Sequence, residues 1–114
     1  MLPAGARLRR SEDFRVTMRR GAKAGGRTAV VYMVKTGDAS SIAGFAVSRA
    51  VGGAVVRNLV KRRLRAVMAE ALTTVPAGSH VVIRALPAAA DVSYSDLRAD
   101  VMGMISRAQA KVCA

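Results

Sequence analysis

Residues 54–65 read AVVRNLVKRRLR, with five Arg or Lys and no acid among the twelve. At about 100° per residue, Val56, Val60, Leu64, Val67 and Ala71 share an arc of about 80°, and Arg57, Asn58, Lys61, Arg62 and Arg65 share a separate arc of about 140°. A helix divided in this way buries one side against other elements and turns the other outward, so the fold must supply an apolar surface for it. Gly52 and Gly53 permit a tight entry at about Ala54, and Pro76 and Gly78 close the helix after Leu72. The surface comes from TAVVYMVK (28–35), IAGFAVS (42–48) and SHVVIRAL (79–86), runs rich in β-branched or aromatic residues that read as strands.

The polar stretch TGDASS between the first two strands suits an antiparallel hairpin, and GAKAGGR before them reads as a Gly-rich loop. Ser11 followed by Glu12 and Asp13 signals a helix start, with Gly21 as its stop after Arg20. Ser93, with Asp96 three residues on, starts a last helix whose Leu97, Val101, Met104, Ile105 and Ala108 recur at helical spacing. The order α-β-β-α-β-α, with room for a further short strand, describes an α+β domain. It is a two-layer α/β sandwich, a small mixed sheet with helices packed on it. With 114 residues, 52% of them apolar, residues 1–114 are expected to form a single domain with its own core.

Charge narrows the partners. The net charge is +12, and all of it lies in residues 1–65, which carry 15 basic and 3 acidic side chains; residues 66–114 carry four of each. A basic habit serving solubility alone would extend to both parts, so the asymmetry points to a surface for a polyanion. The cationic face of the helix agrees, because its like charges repel and it lacks the Glu-to-Lys pairs of a merely solvated helix. Arg57, Lys61 and Arg65 stand one turn apart, about 6 Å, close to the phosphate spacing of a nucleic-acid strand. The helix start after Gly53 adds free backbone N–H groups.

Other chemistries find less support. Cys113, the single cysteine, rules out an internal disulfide and any Cys-based zinc site. His80 has no partner evident from the sequence, and Asp96 with Asp100 reads as a solvated pair, so no metal site made by protein ligands alone and no catalytic side chains are expected. The N-terminal MLPAGARLRRSEDF lacks a signal-peptide core, and no run approaches a membrane span of about 18 apolar residues, which suggests a cytoplasmic protein.

The run SRAVGGAVVRNLVKRRLR (48–65) resembles the signature of the bacterial ribonuclease P protein subunit; SEDFRVTMRRG resembles that family's opening helix, and VVIRALPAA its last strand and exit. The resemblance implies a ribosomal protein S5 domain 2-like fold with a left-handed crossover, a hand the general right-handed rule would not predict. It implies a role in removing the 5′ leader from precursor tRNA as part of an endoribonuclease whose chemistry is carried by a catalytic RNA and its Mg²⁺ ions. Arg49, Arg57, Asn58, Lys61, Arg62 and Arg65 would then face the catalytic RNA, and Phe14, Met18 and Tyr32 would line a cleft for the single-stranded leader, where stacking holds bases without reading sequence. Partners would be the catalytic RNA and precursor tRNA, with neither DNA nor membrane.

The chain departs from the family at Leu59, where Arg is usual, at Ala50 and Gly53, where basic or amide residues are common, and at Met18, often an aromatic. These departures predict a narrower basic face. Without the resemblance, Phe14 and Met18 read as the core face of a short helix and Tyr32 as a half-buried sheet tyrosine. A structural RNA-binding protein of ribosomal type shares the charge and scaffold but has no use for an aromatic cleft. A DNA reader needs a recognition helix in a helix-turn-helix or dimer, whereas the basic helix here follows a strand and a turn.

Overall fold

The computed structural model describes residues 11–36 and 41–112, with side chains from Arg15 onward. Helix α1 (Ser11–Arg20) leads into strands β1 (Ala22–Gly25), β2 (Ala29–Lys35) and β3 (Ile42–Ala46), helix α2 (Ala54–Ala71), strand β4 (Ser79–Ala85), a short 3₁₀ turn (Pro87–Ala90) and helix α3 (Tyr94–Val112). The sheet order is β1-β2-β4-β3, with β2 antiparallel to both β1 and β4, and β3 parallel to β4. The α+β class is as expected, and the further short strand is β1, lying where a loop was read.

The expected hairpin between 28–35 and 42–48 does not form. In β4, Val81, Val82 and Ile83 are all fully buried, so the strand needs neighbours on both edges and cover on both faces. It takes the centre, between β2 and β3, and leaves those two no shared edge. The sequence signal for this was the strand-helix-strand run from β3 through α2 to β4, the usual connection of a parallel pair.

Alternate strand positions build two cores. Val31, Met33, Ala43, Val81 and Ile83 face one side, where Val60, Leu64 and Val67 of α2 and Leu97, Val101 and Met104 of α3 cover them. On the other side Val30, Tyr32 and Val82 form a smaller cluster against which Met18 of α1 packs. Met68 widens the buried side of α2 beyond the expected arc, and Val56, expected inside it, is 36% exposed.

Close approaches fix the element ends. A Cβ on Gly21 would lie 2.4 Å from the Thr17 carbonyl oxygen and 3.0 Å from that of Met33, so only glycine lets the end of α1 settle on β2. Gly52, at φ +157°, would put a Cβ 2.9 Å from the Val56 side chain, which explains why the entry to α2 needs a glycine there. At the far end, the Thr73 and Thr74 hydroxyls donate to the carbonyls of Glu70 and Ala71 at 2.7 Å each and satisfy the last turn.

Helix α3 clasps the β1–β2 hairpin through polar groups. Asp100 accepts from the Thr28 N–H at 2.9 Å and from its hydroxyl at 2.5 Å. Two turns on, Arg107 donates to the Gly25 carbonyl at 3.1 Å and Lys111 to that of Lys23 at 2.5 Å, so cations occupy acceptors of the edge strand β1. Local spacing predicts a solvated carboxylate at Asp100, but its partner lies 72 residues away in the chain. Ser93 does cap α3, accepting from the Asp96 N–H at 3.1 Å. The cap expected at Ser11, the centre of the 36–41 turn, and Cys113 lie outside the described residues and side chains.

Candidate nucleic-acid interface

The face of α2 turned away from the core carries the residues expected there. Asn58 and Arg62 are exposed, while Arg57, Lys61 and Arg65 are half-buried. None of these four cations has a hydrogen-bond or ion-pair partner among the described residues, and the Nε atoms of Arg57 and Arg65 are shielded from water with no acceptor. With Val55, Leu59 and Ala66, four of these five residues (all but Arg57) line an open groove along the helix.

The entry to α2 carries a further exposed cation. Arg49 is exposed in a turn closed by bonds from the Val51 N–H to the Ser48 carbonyl at 3.1 Å and from the Gly52 N–H to the Arg49 carbonyl at 3.2 Å. Gly53 caps the helix without a side chain and no acid stands in the first turn, which leaves the N-terminal N–H groups and the positive end of the dipole open to an anion. Arg63 differs from its neighbours. It points to the other flank and donates to the Val92 carbonyl at 3.1 Å, tying α2 to the start of α3.

The second set of expected residues is only partly assembled. Met18 and Tyr32 do meet, in the cluster under α1, but Tyr32 is 7% exposed, so most of its ring is covered and only a rim faces outward. The Phe14 side chain lies outside those described. Two exposed cations on this sheet face were not singled out from the sequence: Lys23, directly across from Tyr32, and Arg84, directly across from Val30. Arg84 was legible from the alternation in SHVVIRAL, where it shares a side with Val82; Lys23 was hidden by reading its strand as a loop.

The even charge of residues 66–114 also becomes clear. Arg98 forms a forked pair with Glu70, its Nε donating at 2.9 Å, and Arg107 and Lys111 serve the β1 edge. The pair holds the Glu70 carboxyl below its ordinary range through the Arg98 hydrogen bond and raises Arg98 in turn. Arg84 alone among these cations has no such tie among the described residues. No three His, Cys, Asp or Glu of the described residues gather as a metal-ligand set, and no described helix is long and apolar enough to cross a membrane.

Sheet, helices and one-signed groove together define a small basic α+β protein whose central helix buries one face in the core and turns a cationic face away from it. Residues 2–109 match the family model described as Ribonuclease P. The ribonuclease P protein component of Acidothermus cellulolyticus is 48% identical over 110 residues, covering 94% of this chain and 91% of that protein. The component of Beutenbergia cavernae is 49% identical over 108 residues, covering 93% and 90%. Among solved structures, the RNase P protein of Thermotoga maritima superposes with a TM-score of 0.79 at 26% identity, covering 89% of this chain and 96% of that one. The Staphylococcus aureus RNase P protein shares the fold, with a TM-score of 0.82 at 22% identity over 91% and 95%. The chain belongs to the ribonuclease P protein family, the protein part of an endoribonuclease holoenzyme.

Proposed function

We propose that this chain binds the catalytic RNA of ribonuclease P through α2 and the 5′ leader of precursor tRNA along the α1 face of the sheet, assisting leader removal in the cytoplasm. The observation that carries this reading is the one-signed face of α2, where Arg57, Lys61, Arg62 and Arg65 have no counter-charge among the described residues. Repulsion among them is relieved by phosphates, and Arg49 with the open helix start extends the phosphate track. Met18 offers the leader an apolar contact beside Tyr32, and Lys23 and Arg84 flank it with charge; Phe14, one turn earlier in the sequence, is assigned to the same leader contact. Mg²⁺ bound by the RNA and substrate supplies the activated water, while the protein positions the substrate and offsets its charge.

Cleavage of precursor tRNA by the cognate catalytic RNA at low Mg²⁺, with and without the protein, tests this. The wild type is expected to rescue cleavage, Arg62→Ala with Arg65→Ala to lose the rescue, and Met18→Ala to weaken binding only of substrates with leaders several nucleotides long. RNA binding without any effect on cleavage would instead mark a structural RNA-binding protein.

A further inference from the structure

The outermost stripe of α2 is mostly apolar, with a single cation in it. Val55, Leu59, Arg62 and Ala66 follow one another at spacings of four, three and four, so they form one ridge opposite the buried Val60, Leu64 and Val67. Val55 is 84% exposed, the largest exposure of any large apolar side chain described, and Leu59 and Ala66 line the groove beside it. Lys61 and Arg65 stand along one flank of this ridge, with Asn58 between flank and crest. Neither Val55 nor Leu59 belongs to a core cluster, so packing among the described residues does not account for them.

We propose that Val55 and Leu59 seat an unpaired nucleobase of the catalytic RNA, with Asn58 reading its edge and Arg62, Arg65 and Lys61 holding the phosphates on either side. The inference rests on the RNA-binding reading above and adds to it the kind of nucleotide bound. Charge complementarity selects the occupant: cations flank the apolar ridge and no acid lies on this face, which suits an anionic chain carrying apolar faces. A paired helix presents phosphates and ribose to an approaching α-helix and keeps its base faces stacked inside. An unstacked base offers a flat apolar face of the size of the Val55–Leu59 ridge, with polar groups at its rim. Asn58 has both a donor and an acceptor for that rim. On this view Leu59 exchanges a phosphate contact for an apolar one, so its contribution to binding is insensitive to salt.

Binding of the cognate catalytic RNA is measured across a range of salt, with base-reactivity and backbone footprints of the same complexes. Leu59→Ala is expected to weaken binding about tenfold, with the salt slope unchanged, and Val55→Ala to act in the same direction. Both variants should expose one base that the wild type protects while the backbone footprint persists. Leu59→Arg should steepen the slope by about 0.7–0.9. Unfolding of each variant checks that the fold is kept, as both side chains lie outside the core. Unchanged affinity and base protection in Leu59→Ala and Val55→Ala, with Lys61→Ala and Arg65→Ala still lowering the slope, would overturn the nucleobase seat alone. Failure of the wild type to bind the RNA would overturn the reading beneath it as well.

Discussion

Replacing Asp100 with alanine should be among the most damaging single changes to a polar residue in this protein. The carboxylate accepts from the N–H and hydroxyl of Thr28, a residue only 2% exposed, at 2.9 and 2.5 Å. Hydrogen bonds to a charged group contribute about 1.5–3 kcal/mol each, and both Thr28 donors would be left without an acceptor where water barely reaches. Taking the lower figure for each bond gives about 3 kcal/mol. For a chain of this size that corresponds to a fall in Tm of about 10–15 °C. Thermal unfolding of the free protein, followed by circular dichroism, reads the effect. Asp96→Ala is the control, since this exposed carboxylate in the first turn of α3 gains only a dipole contribution of about 0.3–1 kcal/mol. Thr28→Val removes the hydroxyl bond alone and should account for part of the loss, non-additively with Asp100→Ala. Because the contact is shielded, high salt should leave most of the difference in place. If Asp100→Ala melted within about 0.5 kcal/mol of Asp96→Ala, the clasp would contribute nothing and the account of how α3 holds the β1–β2 hairpin would be wrong.

Further outcomes follow from the same contacts. Gly21→Ala should cost more than about 2 kcal/mol, because the new Cβ meets two backbone oxygens that no rotamer change moves, whereas Gly53→Ala, with nothing within 4 Å, should cost less than about 1 kcal/mol; urea unfolding separates them. Arg63→Ala should lower Tm through the lost Val92 tie and leave the salt slope of RNA binding unchanged, whereas Arg62→Ala should do the reverse, reducing the slope by about one phosphate's worth. Glu70 is held below its ordinary value of 4.5, so its pairing with Arg98 stabilises the fold fully above that pH and is lost as pH falls through the lowered value. Glu70→Gln should therefore flatten part of the acid limb of a stability profile below about pH 4.5, an effect that shrinks with added salt because both groups are exposed.

What could be read locally was read from residues within a turn or two of each other. The two faces of α2 follow from the 3.6-residue period of AVVRNLVKRRLR, and the Ser93 cap from its place three residues before Asp96. The charge asymmetry required only counting, and the motif at 48–65 placed the chain in its family. What had to wait were pairings between distant segments. The strand-helix-strand run from β3 through α2 to β4 signals their parallel pairing, but nothing near residues 28–48 shows that β4 will also take the edge of β2, because that depends on which strand has both faces buried once α1, α2 and α3 have packed. The same cause hid Asp100 and Lys111, which look like solvated charges until their helix is laid beside the β1–β2 hairpin. It also decided the fate of Tyr32: alternation put it on the correct side of its strand, and only the seating of α1 determined that its ring would be covered. Spacing along one element sets direction, and burial is set by what arrives from elsewhere in the chain.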